Sequence, residues 1–345
     1  MLRGSFHTAK DLLAGALEST GLLWRQVDRR LRGRVLVLMY HRVLPLQDRD
    51  SFSAPGIIVT PETFDRHLGW IRAHLHPMTP TEFGEVQQSR RPLPERACLV
   101  TFDDGWQDNF THALPALQRH DVPALLFTAT GFIGTRDCFW QERLGRLLYT
   151  AWQAGSRGST VLERAGVESA LKQDSPIARE HIRDAVNLYK SRSPEQIESL
   201  LRQFERMLQG IGVGLPSDFG DDGFLSWSEL ETLTASSLVT VGSHAVSHSS
   251  LPRLAPDARR FELSQSRAEL EEQLDCKVDW FAYPNGDHDA DSAADVRASG
   301  YRGAFTTEDG PVAPGDDAFA LRRVNMHEGA TRTLGRFLAR LTGTL

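Results

Sequence analysis

"LVTFDDGWQDN", running from Leu99 to Asn109, decides how the rest of the chain is read. Four residues suited to a buried strand lead directly into two adjacent aspartates and a glycine. Adjacent carboxylates repel, and Asp-Gly is ordinary turn chemistry. The alternative to a plain turn is a site where a positive partner gives the two carboxylates different jobs. Upstream, "VLVLMYHRVLP" (35–45) is another short apolar run, ending in Tyr40-His41-Arg42. Downstream, "ALLFTAT" (124–130) is a third. Between the first two, Thr60 reads as a helix cap with Pro61 at the first helical position, ahead of Phe64, Leu68, Ile71 and Leu75 at helical spacing. After the Asp-Asp-Gly turn, Phe110, Ala113, Leu114 and Leu117 mark a second helix. Strand, helix, strand at this pitch is the pattern of a parallel sheet.

The rhythm breaks between about 137 and 222, where the chain is charged and helical with few strand signals. Ser193-Pro194-Glu195-Gln196 reads as a capping box, and Ile197, Leu200, Leu201, Phe204 and Leu208 line one face behind it. The rhythm then resumes. Ser226 and Glu229 form another capping box, "LVTVGSH" is a strand running into a histidine, and "VDWFAYPNG" ends in a Pro-Asn-Gly turn. "YRGAFTT" and "ALRRVNMH" follow as strands, with a last helix over 331–341. Seven or eight strand–helix units imply an α/β fold, a (β/α)7-8 barrel with an inserted helical subdomain. The expected organisation is an N-terminal amphipathic helical segment over 1–34, a barrel over 35–136 and 223–345, and a helical insertion over 137–222.

Composition bounds the function classes. The 345 residues are 40% hydrophobic and 24% charged, with a net charge of −6, which is globular and offers no electrostatic case for nucleic acid. Three widely spaced cysteines, Cys98, Cys138 and Cys276, form no disulfide framework or CxxC site. Asp11, Gly15 and Glu18 interrupt the apolar N-terminal stretch, so neither a signal peptide nor a membrane span is read there. Leu12 to Leu31 reads as an amphipathic helix, with Arg25, Arg29, Arg30, Arg32 and Arg34 near its end. It suits either packing on the domain or contact with an anionic membrane surface. The expected location is cytoplasmic, peripheral to the inner face of the membrane.

Polar residues collect where the strands end: His41, Asp103 with Asp104, Ser243 with His244, Tyr283-Pro284-Asn285, and His327. This is the face of a parallel barrel that carries active sites. "GSHAVSH" spaces His244 and His248 four apart, which on a helical turn puts both imidazoles on one side. With one carboxylate they make a two-histidine set that leaves room for water at a divalent ion. One aspartate then serves as ligand while the other takes a proton from the water.

"TFDDG" (101–105), "SHAVSH" (243–248) and "FAYPNG" (281–286), in this order, resemble the first three motifs of the polysaccharide deacetylases, the NodB-homology group or carbohydrate esterase family 4. The resemblance covers about 35–135 and 223–340 and implies a distorted NodB-type barrel. It makes Asp103 the general base and Asp104, His244 and His248 the metal triad. The implied cofactor is a divalent metal, zinc first, with cobalt, nickel or manganese as alternatives. The Asn285 backbone N–H becomes the oxyanion donor. "MYHRV" resembles the poly-N-acetylglucosamine deacetylase subgroup, whose acid histidine lies on an early strand. That favours His41 as the general acid, with His327 as the alternative. Tyr283, Trp106 and Trp227 are candidates for stacking on a sugar.

The implied reaction is hydrolysis of an N-acetyl group on an amino-sugar glycan or a lipid-linked glycan precursor. Alternatives are a deformylase or other amide hydrolase on a lipid-linked amino sugar, and a non-catalytic glycan-binding relative. Two departures from the family pattern stand out. Ala282 occupies the usual place of an arginine that orients the base, with Arg42 as a candidate substitute. Ala245 follows the first motif histidine, where Ser or Thr is common.

Overall fold

The computed structural model describes residues 14–45 (16 and 19 excepted), 55–167, 179–215 and 223–343. Eight parallel strands carry the fold: β1 (Leu36–Tyr40), β2 (His76–Pro77), β3 (Ala97–Phe102), β4 (Ala124–Thr128), β5 (Val239–Ser243), β6 (Trp280–Ala282), β7 (Gly303–Asp309) and β8 (Leu321–Asn325). Seven of them close a barrel in the order β1-β8-β7-β6-β5-β4-β3, with β3 pairing back to β1 from Leu36↔Cys98 to Tyr40↔Phe102. β2 adds to the start of β3. The expected barrel of seven or eight units is therefore borne out.

Both faces of β1 and β3 are buried, which explains why they read as unbroken apolar runs. Val37, Leu99, Leu125, Phe127, Phe305 and Leu321 pack together as the barrel interior. Their neighbours Leu36, Leu38, Tyr40, Val100, Phe102 and Leu126 pack outward with the helices. Alternation with period two then fixes what lies higher inside the barrel: Thr101 near the end of β3, Asp103 just beyond it, and Arg323 from β8.

Helix α1 (Leu22–Leu31) buries Leu23, Val27 and Leu31 and leaves Arg25 and Arg29 exposed. The continuous helix expected over 12–31 is broken: Gly21 caps α1 in the left-handed region, at φ 69°. Residues 1–13 of the expected N-terminal segment lie outside the described residues. Helix α2 (Pro61–His74) starts as expected, with the Thr60 hydroxyl accepting from the Thr63 N–H and Pro61 in the first turn. Its Phe64 meets Tyr40 and Phe102 edge-on at 5.1 and 5.6 Å, which ties the helix to β1 and β3. The helix after the Asp-Asp-Gly turn differs from expectation. It opens as a π turn over Asn109–Ala113 before α3 (Leu114–His120). Pro115 has no N–H to give and would crowd the carbonyl four residues back, and the wider turn relieves that clash.

The chain divides into two compact units, one of Met1–Asp48, Gly56–Thr135 and Phe224–Leu345, the other of Arg49–Pro55 and Arg136–Gly223. The second unit is helical. Its helices include Trp140–Gln153, Arg179–Tyr189 and Pro194–Gly210, around a core that contains Leu144, Leu148, Leu201 and Phe204. Ser193 and Gln196 cap the last of these reciprocally. Among the described residues, no helix is long and apolar enough to cross a membrane.

Candidate active site

Asp103 continues the inward face of β3, and its N–H donates to the Tyr40 carbonyl at 3.0 Å. Asp104 and Gly105 then turn into the left-handed region, at φ 79° and 82°. The pleat ends there, so the two carboxylates diverge. Gly105 is required, because a Cβ would stand 2.9 Å from the Thr128 methyl group. Asp in a left-handed conformation is tolerated at modest cost.

Asp104 faces His244 and His248, and the three form a buried cluster whose ligand atoms all lie within 4.8 Å of one another. Asp104 Oδ1 is 3.4 Å from each histidine Nε2. Donors about 2.0–2.2 Å from an ion, at tetrahedral angles, stand roughly 3.3–3.5 Å apart, so the spacing fits a small divalent cation. The surroundings fix which atoms face inward. The Trp106 indole N–H donates to Asp104 Oδ2 at 2.8 Å, leaving Oδ1 toward the imidazoles. His244 Nδ1 is 2.8 Å from the Ala282 carbonyl, so it carries the proton and presents Nε2. The histidines do not share a helical turn, contrary to expectation. Residues 244–248 form a loop with Ala245 at φ 66° and His248 at φ 56°. Glu262 holds that loop by accepting from the Val246 and Ser247 N–H groups at 2.7 and 2.8 Å and from the Ser247 hydroxyl at 2.6 Å.

Arg323 is fully buried and grips Asp103 through two parallel bonds, Nη1 to Oδ1 at 2.6 Å and Nη2 to Oδ2 at 2.7 Å. Its Nε donates to the Thr306 carbonyl at 2.8 Å. Burial alone would raise the Asp103 carboxyl. The Arg323 guanidinium outweighs it, with His244 and His41 adding to the effect, and holds the group below its ordinary value. Burial likewise opposes ionisation of Asp104, but hydrogen bonding to His244 and His248 pulls it well below the ordinary carboxylate range. Burial pushes the His248 imidazole down, and Asp104 only partly offsets this. Both aspartates are therefore ionised at neutral pH, and each charge has its own partner.

A profile for polysaccharide deacetylases matches residues 90–304, more than half of the chain. The chain belongs to the polysaccharide deacetylase family. It is 30% identical over 115 residues to the poly-beta-1,6-N-acetyl-D-glucosamine N-deacetylase of Staphylococcus epidermidis, covering 31% of this chain and 39% of that one. It is also 30% identical over 91 residues to the Escherichia coli K12 protein of the same name, covering 25% of this chain and 14% of that one. The chain thus matches less than half the length of these relatives. Among solved structures, Streptococcus pyogenes deacetylase PplD, in complex with acetate, superposes with a TM-score of 0.57 at 16% identity, over 90% of this chain and 97% of that one. IcaB from Ammonifex degensii gives 0.57 at 20% identity over the same shares. These two likenesses concern the fold.

The other residues singled out in the sequence have the following surroundings in this family member, and those of Trp106, Tyr283 and Arg42 differ from expectation. His41 Nε2 is 3.9 Å from Asp103 Oδ2, beside the cluster. His327 caps the short helix Glu328–Thr331, and the charges around it are those of Arg340, Arg336 and Glu328. Asn285 sits in the tight turn after β6 at φ 58°, ψ 3°. Trp106 and Tyr283 have no exposed surface, so neither ring is open to a sugar. Trp106 instead braces Asp104 and stacks on Phe224 at 4.5 Å, and the Tyr283 hydroxyl donates to the Phe319 carbonyl at 3.0 Å. Trp227, first residue of the helix Trp227–Ala235, is partly buried against the core. Arg42 does not brace Asp103. It pairs with Asp108 at 2.8 Å, and Arg323 takes the bracing position. Arg323 escaped sequence reading, although strand alternation in "ALRRVNMH" carried a signal: Leu321 faces inward, so Arg323 does too and Arg322 does not.

Proposed function

We propose that this chain is a metal-dependent hydrolase that removes N-acetyl groups from an amino-sugar glycan. The observation that carries the reading is the division of labour between neighbouring aspartates. Asp104 faces two histidine Nε2 atoms, whereas Asp103 lies beside His41 with its charge held by Arg323. A divalent cation on Asp104, His244 and His248 would supply Lewis acidity, making water nucleophilic near neutral pH. Asp103 takes the proton of the attacking water. Each of its oxygens keeps a lone pair free after bonding Arg323. His41 stands beside Asp103 and gives a proton to the departing amine. The Asn285 N–H, turned by the left-handed backbone at that residue, donates to the oxyanion of the tetrahedral intermediate.

The substrate class follows from the relatives, two of which are named for deacetylating poly-beta-1,6-N-acetyl-D-glucosamine. Acetate release from N-acetylglucosamine oligomers and from lipid-linked amino-sugar glycans, with and without chelator, tests the reading. Chelator-sensitive acetate release that vanishes in Asp103→Asn is the expected result. Formate release instead would identify a deformylase. Full activity in Asp103→Asn, or glycan binding without turnover, would end the catalytic reading.

The exposed guanidinium groups of Arg25, Arg29 and Arg32 support a further part of the proposal, that α1 rests on an anionic membrane surface. Co-sedimentation with phosphatidylglycerol vesicles at low salt, absent with phosphatidylcholine, is the expected outcome. Equal recovery with both lipids would count against it.

A further inference from the structure

His41 has little holding its ring. Among the described residues its Nδ1 is buried without a hydrogen-bond partner, and its Nε2 lies 3.9 Å from Asp103, too far for a hydrogen bond. The backbone that carries it is held tightly. Asn109 Nδ2 donates to the His41 carbonyl at 2.8 Å. The next two residues bind Asp108: the Arg42 Nε–H donates to Oδ2 at 2.8 Å and the Val43 N–H donates to Oδ1 at 2.7 Å. Asp108 and Asn109 are each 3% exposed, so these bonds are shielded from water. Arg42 also lies over the Trp106 ring at 4.1 Å, and Trp106 in turn bonds Asp104.

We propose that Asp108 and Asn109 are positioning residues that place His41, through its main chain, beside Asp103. The proposal rests on the reading of His41 as general acid. The stretch from Asp103 to Asn109 then carries the base, a ligand, the brace of that ligand and the clamp on the acid. A misplacement of about 1 Å suffices to cost on the order of a hundredfold in rate.

The test exploits the leaving group. An N-acetylated amino sugar needs its amine protonated, whereas p-nitrophenyl acetate releases a stable phenolate that needs no acid. Asn109→Ala, loaded with zinc, is compared with the parent on both substrates. The expected loss in kcat on the amide exceeds that on the ester by about tenfold or more, with KM changed far less. Zinc stoichiometry and affinity stay at parent values, since the clamp holds no ligand. Asp108→Asn is the second variant. It keeps an acceptor for the Val43 N–H but loses the charge facing Arg42, and it should show the same selectivity to a smaller degree. It decides the matter in the same way if Asn109→Ala does not fold. Equal losses on both substrates, or no loss, would overturn the proposal. His41→Ala separates this from failure of the parent reading. Selective loss in that variant upholds the acid assignment, and an unselective response in it removes the assignment whatever Asn109→Ala does.

Discussion

Replacing Arg323 by methionine isolates the most heavily invested contact in the barrel. The guanidinium makes two bonds to Asp103 and one to the Thr306 carbonyl, and neither member of the pair is more than 2% exposed. Methionine fills much of the volume but leaves a carboxylate buried without its cation. Removing one partner of such a pair costs about 3–5 kcal/mol, because the remaining charge is stranded in a poor solvent. The sign with pH follows from the direction of the shift. In the parent, Asp103 is held below its ordinary value, so it stabilises the fold at neutral pH and that contribution is lost only as acid protonates it. In Arg323→Met, burial acts unopposed by Arg323 and the carboxyl rises, so the variant is most penalised at neutral pH and the deficit shrinks in acid. Urea unfolding of metal-free protein at several pH values measures this. The double variant Arg323→Met/Asp103→Asn removes the stranded charge and should recover much of the loss. The acidic limb of kcat/KM should also move to higher pH in Arg323→Met. A single variant within about 0.5 kcal/mol of the parent, the range of surface changes, would refute the reasoning. So would an unmoved acidic limb.

Removal of any one of Asp104, His244 and His248 should abolish stoichiometric zinc binding, measured by metal analysis after gel filtration. Parent-level metal in Asp104→Asn or His248→Ala would contradict the assigned donor set. In the parent, zinc at a free concentration of 100 times its dissociation constant should add about 2.7 kcal/mol of stability. Glu262→Ala should loosen the loop carrying His248 and weaken zinc binding by about 10–100-fold, the usual cost of losing a group that supports a ligand, and unchanged titration calorimetry would show the loop needs no such support. His41→Ala should lower acetate release by about a hundredfold or more, whereas His327→Ala stays near parent activity, and the reverse order would transfer the acid role to His327. His67 is buried between the Tyr40 hydroxyl and the Thr331 carbonyl, and burial pushes it down to about 4. Against an unfolded value near 6.5, it contributes stability above that pH which is lost as the pH falls toward 4, about 3 kcal/mol in all. His67→Gln should flatten that part of the stability profile, and an identical slope in both proteins would show that other groups set it.

Much of the fold was legible because its signals are local. Thr60-Pro61, Ser193 with Gln196, and Ser226 with Glu229 each declare a helix start within four residues, and the structure makes each of those bonds. The apolar runs at 35–40 and 97–102 reveal buried parallel strands because no exposed face interrupts them. What stayed hidden depends on contacts distant in the chain or on backbone geometry. Arg323 meets Asp103 across 220 positions, and only its parity within β8 distinguishes it from the exposed Arg322. The spacing of His244 and His248 suits a helical turn equally well, and the left-handed residues 245 and 248 that replace it carry no glycine to announce them. Trp106 and Tyr283 show how weakly an aromatic residue beside a motif predicts an open ring, since both are spent on internal hydrogen bonds.

The anchoring of the donor set has a consequence for how an ion reaches it. Trp106 fixes one oxygen of Asp104, the Ala282 carbonyl fixes the tautomer of His244, and Glu262 ties down the loop before His248. Each restraint comes from the polypeptide itself. The conformational entropy of assembling the three ligands is therefore surrendered when the barrel folds, not when the cation arrives. Ion capture becomes a docking event on a rigid seat, and one ion can be exchanged for another without unfolding the chain. Which divalent ion resides there is then governed by supply and intrinsic ligand preference more than by any rearrangement of the protein.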